Sequence, residues 1–167
     1  MLAPGKFICL KWGILFLFLN VHIGRLNLLP DFVGALLLHA SIQMQAERTQ
    51  AQERLKPLLL LLAADSFLHW AWQFENGLEA LLMLAIYLYV LYVYLGEVAG
   101  RIRPEQPERA GQLEGIRISA VLLQMAVYLL SPYGIQGLNA LLTVSTLGVC
   151  AALLVTVCRI RPLDREG

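Results

Sequence analysis

The sequence predicts an all-α, polytopic transmembrane helical bundle, with six spans arranged as three antiparallel hairpins. Three observations carry this expectation. Apolar residues make up 58% of the 167 positions and charged ones only 15%, where a globular domain carries about 25% charged residues. Mean hydropathy is +0.64. The apolar residues gather into six runs joined by short polar links, none large enough to bury a core of its own. A single integral membrane domain is therefore expected over residues 1–167.

The first run, 7–23, follows Lys6 and Lys11 and resembles a secretory leader in layout. No small-x-small cleavage site follows it, because the chain continues Asn20-Val21-His22-Ile23-Gly24-Arg25, so it is read as a retained span. The second run, 28–45, barely meets the roughly 17 residues that a span needs. It opens on Asn27-Leu28-Leu29-Pro30-Asp31-Phe32-Val33-Gly34. Proline suits a first helical turn, and an acid there faces the positive end of the helix dipole. The third run, 57–74, starts at Pro57 and holds Asp65 and His69 within its apolar length. The fourth, 77–98, carries Tyr87, Tyr89, Tyr92 and Tyr94, read as an aromatic belt at the membrane interface. The fifth, 116–130, is short, and the sixth covers 135–157.

Charge placement tests this division. With the N-terminus inside, the inner segments collect Lys6, Lys11, Arg48, Arg54, Lys56, Arg101, Arg103, Arg109, Arg117, Arg159, Arg161 and Arg165, leaving only Arg25 outside. That asymmetry obeys the positive-inside rule and predicts six spans with both termini in the cytoplasm. The inner link 46–56 is charged, and the longer one, 100–115, is read as a solvated connector or as a docking site for a cytoplasmic or membrane partner. Gly77-Leu78-Glu79-Ala80-Leu81-Leu82 and Gly137-Leu138-Asn139-Ala140-Leu141-Leu142 agree at five of six places. They suggest either a repeated two-helix unit or simply glycine near a helix start followed by good helix formers.

The phrase over residues 27–34 resembles a family of small uncharacterised multi-pass membrane proteins of Gram-positive bacteria, in which Asn-x-Leu-Pro-Asp-Phe-Ile/Val-Gly opens the second helix. The resemblance implies a bacterial plasma-membrane location and brings no enzyme activity. The number of spans and the cytoplasmic termini are also similar to the substrate-binding membrane subunits of energy-coupling-factor vitamin transporters. Those subunits carry small residues in the first helix, where this chain has the bulky run 12–19.

Several function classes drop out. A net charge of +1 supplies no basic face for nucleic acid. No nucleophile elbow, zinc-protease helix, phosphate loop or dinucleotide fingerprint is present, so no enzyme and no cofactor is expected. Cys9, Cys150 and Cys158 are read as reduced thiols; the last two lie about 12 Å apart along one helix, too far to bridge.

The remaining signal is polar and intramembrane. Counting helical rise places His39, Asp65, Gln124 and Thr143 near mid-depth, with His69 somewhat further out. Asp65 and His69 are four apart and share a helix face. Asn139, Thr143, Thr146 and Cys150 form a second stripe, expected to face inward because lipid would strand its polar groups. Asp31, His22 and Glu79 form a candidate outer entrance for a cation or proton, set against plain helix capping. Three explanations compete for the inner set. Interhelical hydrogen-bond glue averages only about 0.6 kcal/mol per contact, whereas a central Asp costs about 2.5 to 3.5 kcal/mol. A proton or solute relay through Asp65 and His69 is the second. A metal site formed by His39, Asp65 and His69 is the third.

Overall fold

In the computed structural model, residues 12–14, 16, 22–23, 26–27, 31–44, 49–72 and 77–160 are described. Apart from one small hairpin, their regular structure is helical. The helices are α1 (Asp31–Gln43), α2 (Gln50–Trp72), α3 (Gly77–Ile102), α4 (Pro107–Leu130) and α5 (Gln136–Arg159), with residues 12–14 and 16 also helical. A 3-10 turn, Ser131–Tyr133, leads out of α4. Gly134 follows at φ 66, a left-handed conformation that a Cβ would disfavour.

Among the described residues, three helical stretches are long and apolar enough to cross a membrane: Glu79–Ile102, Pro107–Leu130 and Gln136–Arg159. Their outward faces agree with that reading. Leu122, Leu129, Leu141 and Val144 are 62, 61, 63 and 67% exposed, a concentration of bare aliphatic surface suited to lipid.

The first half of the chain departs from the expected spans. The end of the expected first span is not helical: His22–Ile23 (β1) pairs antiparallel with Leu26–Asn27 (β2), His22 opposite Asn27. The rest of that span lies largely outside the described residues. Helix α1 begins at Asp31, as its Pro-Asp entrance predicts, but its 13 residues extend only about 20 Å, short of a roughly 30 Å hydrocarbon core. Helix α2 begins seven residues before the expected start at Pro57 and holds Pro57 in its interior. It carries Glu53, Arg54, Lys56 and Asp65 and is not among the three apolar stretches.

A capping box explains the early start of α2. The Gln52 amide donates to Thr49 Oγ1 at 3.2 Å, and the Thr49 amide donates to Gln52 Oε1 at 3.3 Å. This reciprocal pair satisfies two amides that a bare helix end would leave open. Lys56 Nζ then donates to both carboxylate oxygens of Glu53 at 2.7 Å. Thr49→Ala is expected to destabilise the protein by about 1 kcal/mol in chemical denaturation, and Thr49→Ser by much less.

The expected connector over 100–115 is also mostly helix. Helix α3 runs on to Ile102, and α4 starts at Pro107, leaving a link of residues 103–106. Proline fits here because the first helical position needs no N–H. Ala110 and Leu113 are fully buried, and Arg103 forms an ion pair with Glu114 across the link. A docking loop of the expected length is therefore not present in this stretch.

The chain forms two compact units, dividing between Val90 and Leu91 within α3. In the first, α1 packs on α2. Ala35, Leu38 and Ile42 on α1, and Leu55, Leu59 and Leu62 on α2, are the buried helical faces. Phe32 meets Phe67 edge-on, with ring centroids 5.4 Å apart at 90°. Residue 13 joins this core: a Cβ on Gly13 would lie 2.8 Å from Leu38 Cδ2 and 3.2 Å from the Leu38 backbone nitrogen. In the second unit, α4 packs on α5, with Leu113, Ala120, Leu142, Cys150, Leu153 and Val157 buried. Cys150 and Cys158 are free thiols, as expected.

The tyrosines of α3 do not form one belt. Tyr94 is buried, whereas Tyr89 and Tyr92 are exposed. Arg117 lies over the Tyr92 ring, 4.3 Å from its centroid, and donates to the Tyr92 carbonyl at 3.4 Å.

Candidate functional site

The polar centre of the first unit is built from α2 and the start of α3. Asp65 and His69 project from one face of α2 because they are separated by about one helical turn. Glu79 stands in the first turn of α3. One ligand-capable atom from each of Asp65, His69 and Glu79 lies within 4.8 Å of the other two, and all three side chains are half-buried. This is the one group of three or more such residues among the described residues.

The hydrogen bonding defines what the cluster offers. His69 Nδ1 is 3.1 Å from the Asp65 carbonyl oxygen and 3.5 Å from Asp65 Oδ1. A carbonyl can only accept, so Nδ1 carries a proton in this arrangement and donates it there. In the neutral ring that donation leaves the lone pair on Nε2. The cluster thus offers two carboxyl groups and one imidazole.

That set suits a small cation. Carboxylate oxygens and imidazole nitrogens bind zinc-like ions at about 2.0 to 2.2 Å, which puts neighbouring ligand atoms about 3.4 Å apart in a tetrahedral site. The present atoms lie within 4.8 Å of one another, wider by up to about 1.4 Å, a gap that side-chain rotation covers. The same groups can carry a proton without a metal, because carboxylates and imidazoles both accept and release one.

The composition of the cluster differs from the expected triad. His39, grouped with Asp65 and His69 from the sequence, stands outside it; its electrostatic neighbour is Lys56. Glu79, assigned to an outer entrance, takes the third place. Helical counting missed this because it measures depth along each helix and contains no information about tilt or offset between helices. The acid count near the turn was the available signal. Of the other expected entrance residues, His22 lies in β1 and Asp31 opens α1, and their side chains lie outside the described residues.

The other expected positions belong to the second unit. Gln124 is half-buried on α4. Thr143 does not face inward: it is exposed, and its hydroxyl donates to the Asn139 carbonyl at 2.9 Å. Thr146 similarly donates to the Leu142 carbonyl at 2.9 Å. Back-bonding to the preceding turn satisfies both hydroxyls within their own helix. Asn139 Oδ1, by contrast, is buried without a hydrogen-bond partner among the described residues.

Comparison of the chain with known families, curated proteins and solved structures finds no match in any of the three.

Proposed function

We propose that this is a multi-pass bacterial plasma-membrane protein that binds a small ion, proton or solute at the Asp65–His69–Glu79 cluster, as a component of its passage across the membrane. The observation that carries the reading is the convergence of two carboxyls and an imidazole nitrogen from separate helices in a chain this poor in charge. Ionisable groups in apolar surroundings are costly, and ion or proton pathways are where such groups have a use. Helix packing alone fits Thr143 and Thr146, whose hydroxyls serve their own helix. It fits the cluster poorly, because three ionisable side chains are an expensive adhesive.

Six spans with both termini in the cytoplasm remain the topology favoured by the charge distribution, with twelve of thirteen basic residues on one side. The three long apolar helices support membrane insertion directly. The test is a thermal-shift series on the purified protein in detergent, across pH and a panel of divalent ions and small solutes. A ligand- or pH-dependent shift is expected. A wild-type protein indifferent to every condition would sink the reading.

A further inference from the structure

The second unit contains a groove of about 700 Å³ between α4 and α5 that the cluster does not use. Arg109, in the first turn of α4, and Arg159, the last residue of α5, both line it. Arg109 Nη1 donates to Gln112 Oε1 at 3.0 Å, which holds one guanidinium at the groove. No acidic side chain is among the lining residues.

Away from the arginines the lining combines glycine and aliphatic side chains with the hydroxyls of Ser119, Ser145 and Thr156. Gly115 and Gly148 open the groove, and a Cβ on either would meet nothing within 4 Å. Ile116, Val149 and Val155 supply aliphatic walls. From Arg109 to Ser119 the groove follows α4 for ten residues, about 15 Å of helical rise. Ile116, where the apolar run of α4 begins, lies seven residues beyond Arg109, which sets the arginine at the membrane surface and the far end of the groove within the hydrocarbon. The two helices are themselves long and apolar enough to span it.

We propose that this groove is a binding site for an anionic phospholipid, with the headgroup phosphate between Arg109 and Arg159 and an acyl chain along the glycine-floored channel. Guanidinium groups donate paired hydrogen bonds to phosphate oxygens. Basic pockets at the ends of transmembrane helices are where such headgroups are held. A free phosphate would use only the arginine end, and the aliphatic walls of Ile116, Val149 and Val155 beyond that cationic mouth match an amphiphile. The inference depends on α4 and α5 being in the membrane and is independent of the Asp65 cluster.

The test is native mass spectrometry of the detergent-purified full chain, titrated with cardiolipin, phosphatidylglycerol or phosphatidylcholine. Wild type is expected to retain the two anionic lipids at least tenfold better than phosphatidylcholine. Arg109→Gln with Arg159→Gln should remove that preference, and excess inorganic phosphate should not displace the lipid. Gly148→Leu, which obstructs the floor without changing charge, should weaken retention as strongly. It also tests the site if the arginine pair proves necessary for folding. Equal retention of all three lipids, displacement by phosphate alone, or unchanged binding in Gly148→Leu would each overturn the proposal. So would Gly148→Leu converting a dimer to a monomer, which would assign the groove to a second copy of the chain.

Discussion

Asp65→Asn is expected to abolish the ion- or pH-dependent thermal shift while leaving a protein that folds at least as well as wild type. Asparagine keeps the size of the side chain and removes its charge, so packing survives and the anionic ligand is lost. A ligand present at a hundred times its dissociation constant stabilises the folded state by about 2.7 kcal/mol. For a chain of this length that corresponds to a rise of roughly 5 to 11 °C in Tm, all of it lost in the variant. Glu79→Gln should reproduce the loss, since Glu79 stands within the same 4.8 Å group. His39→Gln should not, because His39 is not among the three grouped side chains. If His39→Gln removed the shift and Glu79→Gln spared it, the site would be the triad read from the sequence. A fall in stability common to all three variants, without any change in ligand response, would leave a packing role.

Gly13→Leu is expected to cause the largest loss of stability. Even a Cβ at this position would stand 2.8 Å from Leu38 Cδ2 and 3.0 Å from Leu38 Cγ, with the Leu38 backbone nitrogen at 3.2 Å. The side chain of Leu38 can rotate, but its backbone can move only by displacing α1. Small residues allow helix backbones to approach this closely. Forcing a larger side chain into such a contact costs about 1 to 3 kcal/mol. Detergent-resistance and thermal-unfolding curves should show Gly13→Ala between wild type and Gly13→Leu. Leu38→Ala should recover part of the loss in combination with Gly13→Ala, as coupled neighbours do. Equal stability of wild type and Gly13→Leu would mean that the close approach does not bear on folding.

The long apolar helices were legible because Leu-rich runs such as those of α3 and α5 admit few alternatives to burial or lipid. Their bounds were less so. Thr49-x-x-Gln52 was a readable capping signature, but the charges after it suggested a loop and Pro57 suggested a start. Pro104, Pro107 and the neighbouring acids likewise resembled a connector, whereas Ala110 and Leu113 already carried the three-residue spacing of a buried helix face. Within the candidate site, Asp65 and His69 were visible through their four-residue spacing. Glu79 joined them only through the placement of one helix against another. The same limit applies to Arg117 over Tyr92 and to Arg109 opposite Arg159, pairs distant in sequence whose members had separately been counted as cytoplasmic charge or interfacial aromatic.

Pro57 gives α2 two kinetic regimes. Proline has no amide hydrogen, so the helical ladder lacks a rung where the charged opening turns give way to leucine. Hydrogen–deuterium exchange should divide there: amides between Gln50 and Lys56 should label quickly through local fraying, and those from Leu58 onward should label slowly. The opening turns can then open and close on a short timescale, while the turns that hold Asp65 and His69 keep their register. A uniform exchange rate along the helix would show instead that the missing rung has no mechanical consequence.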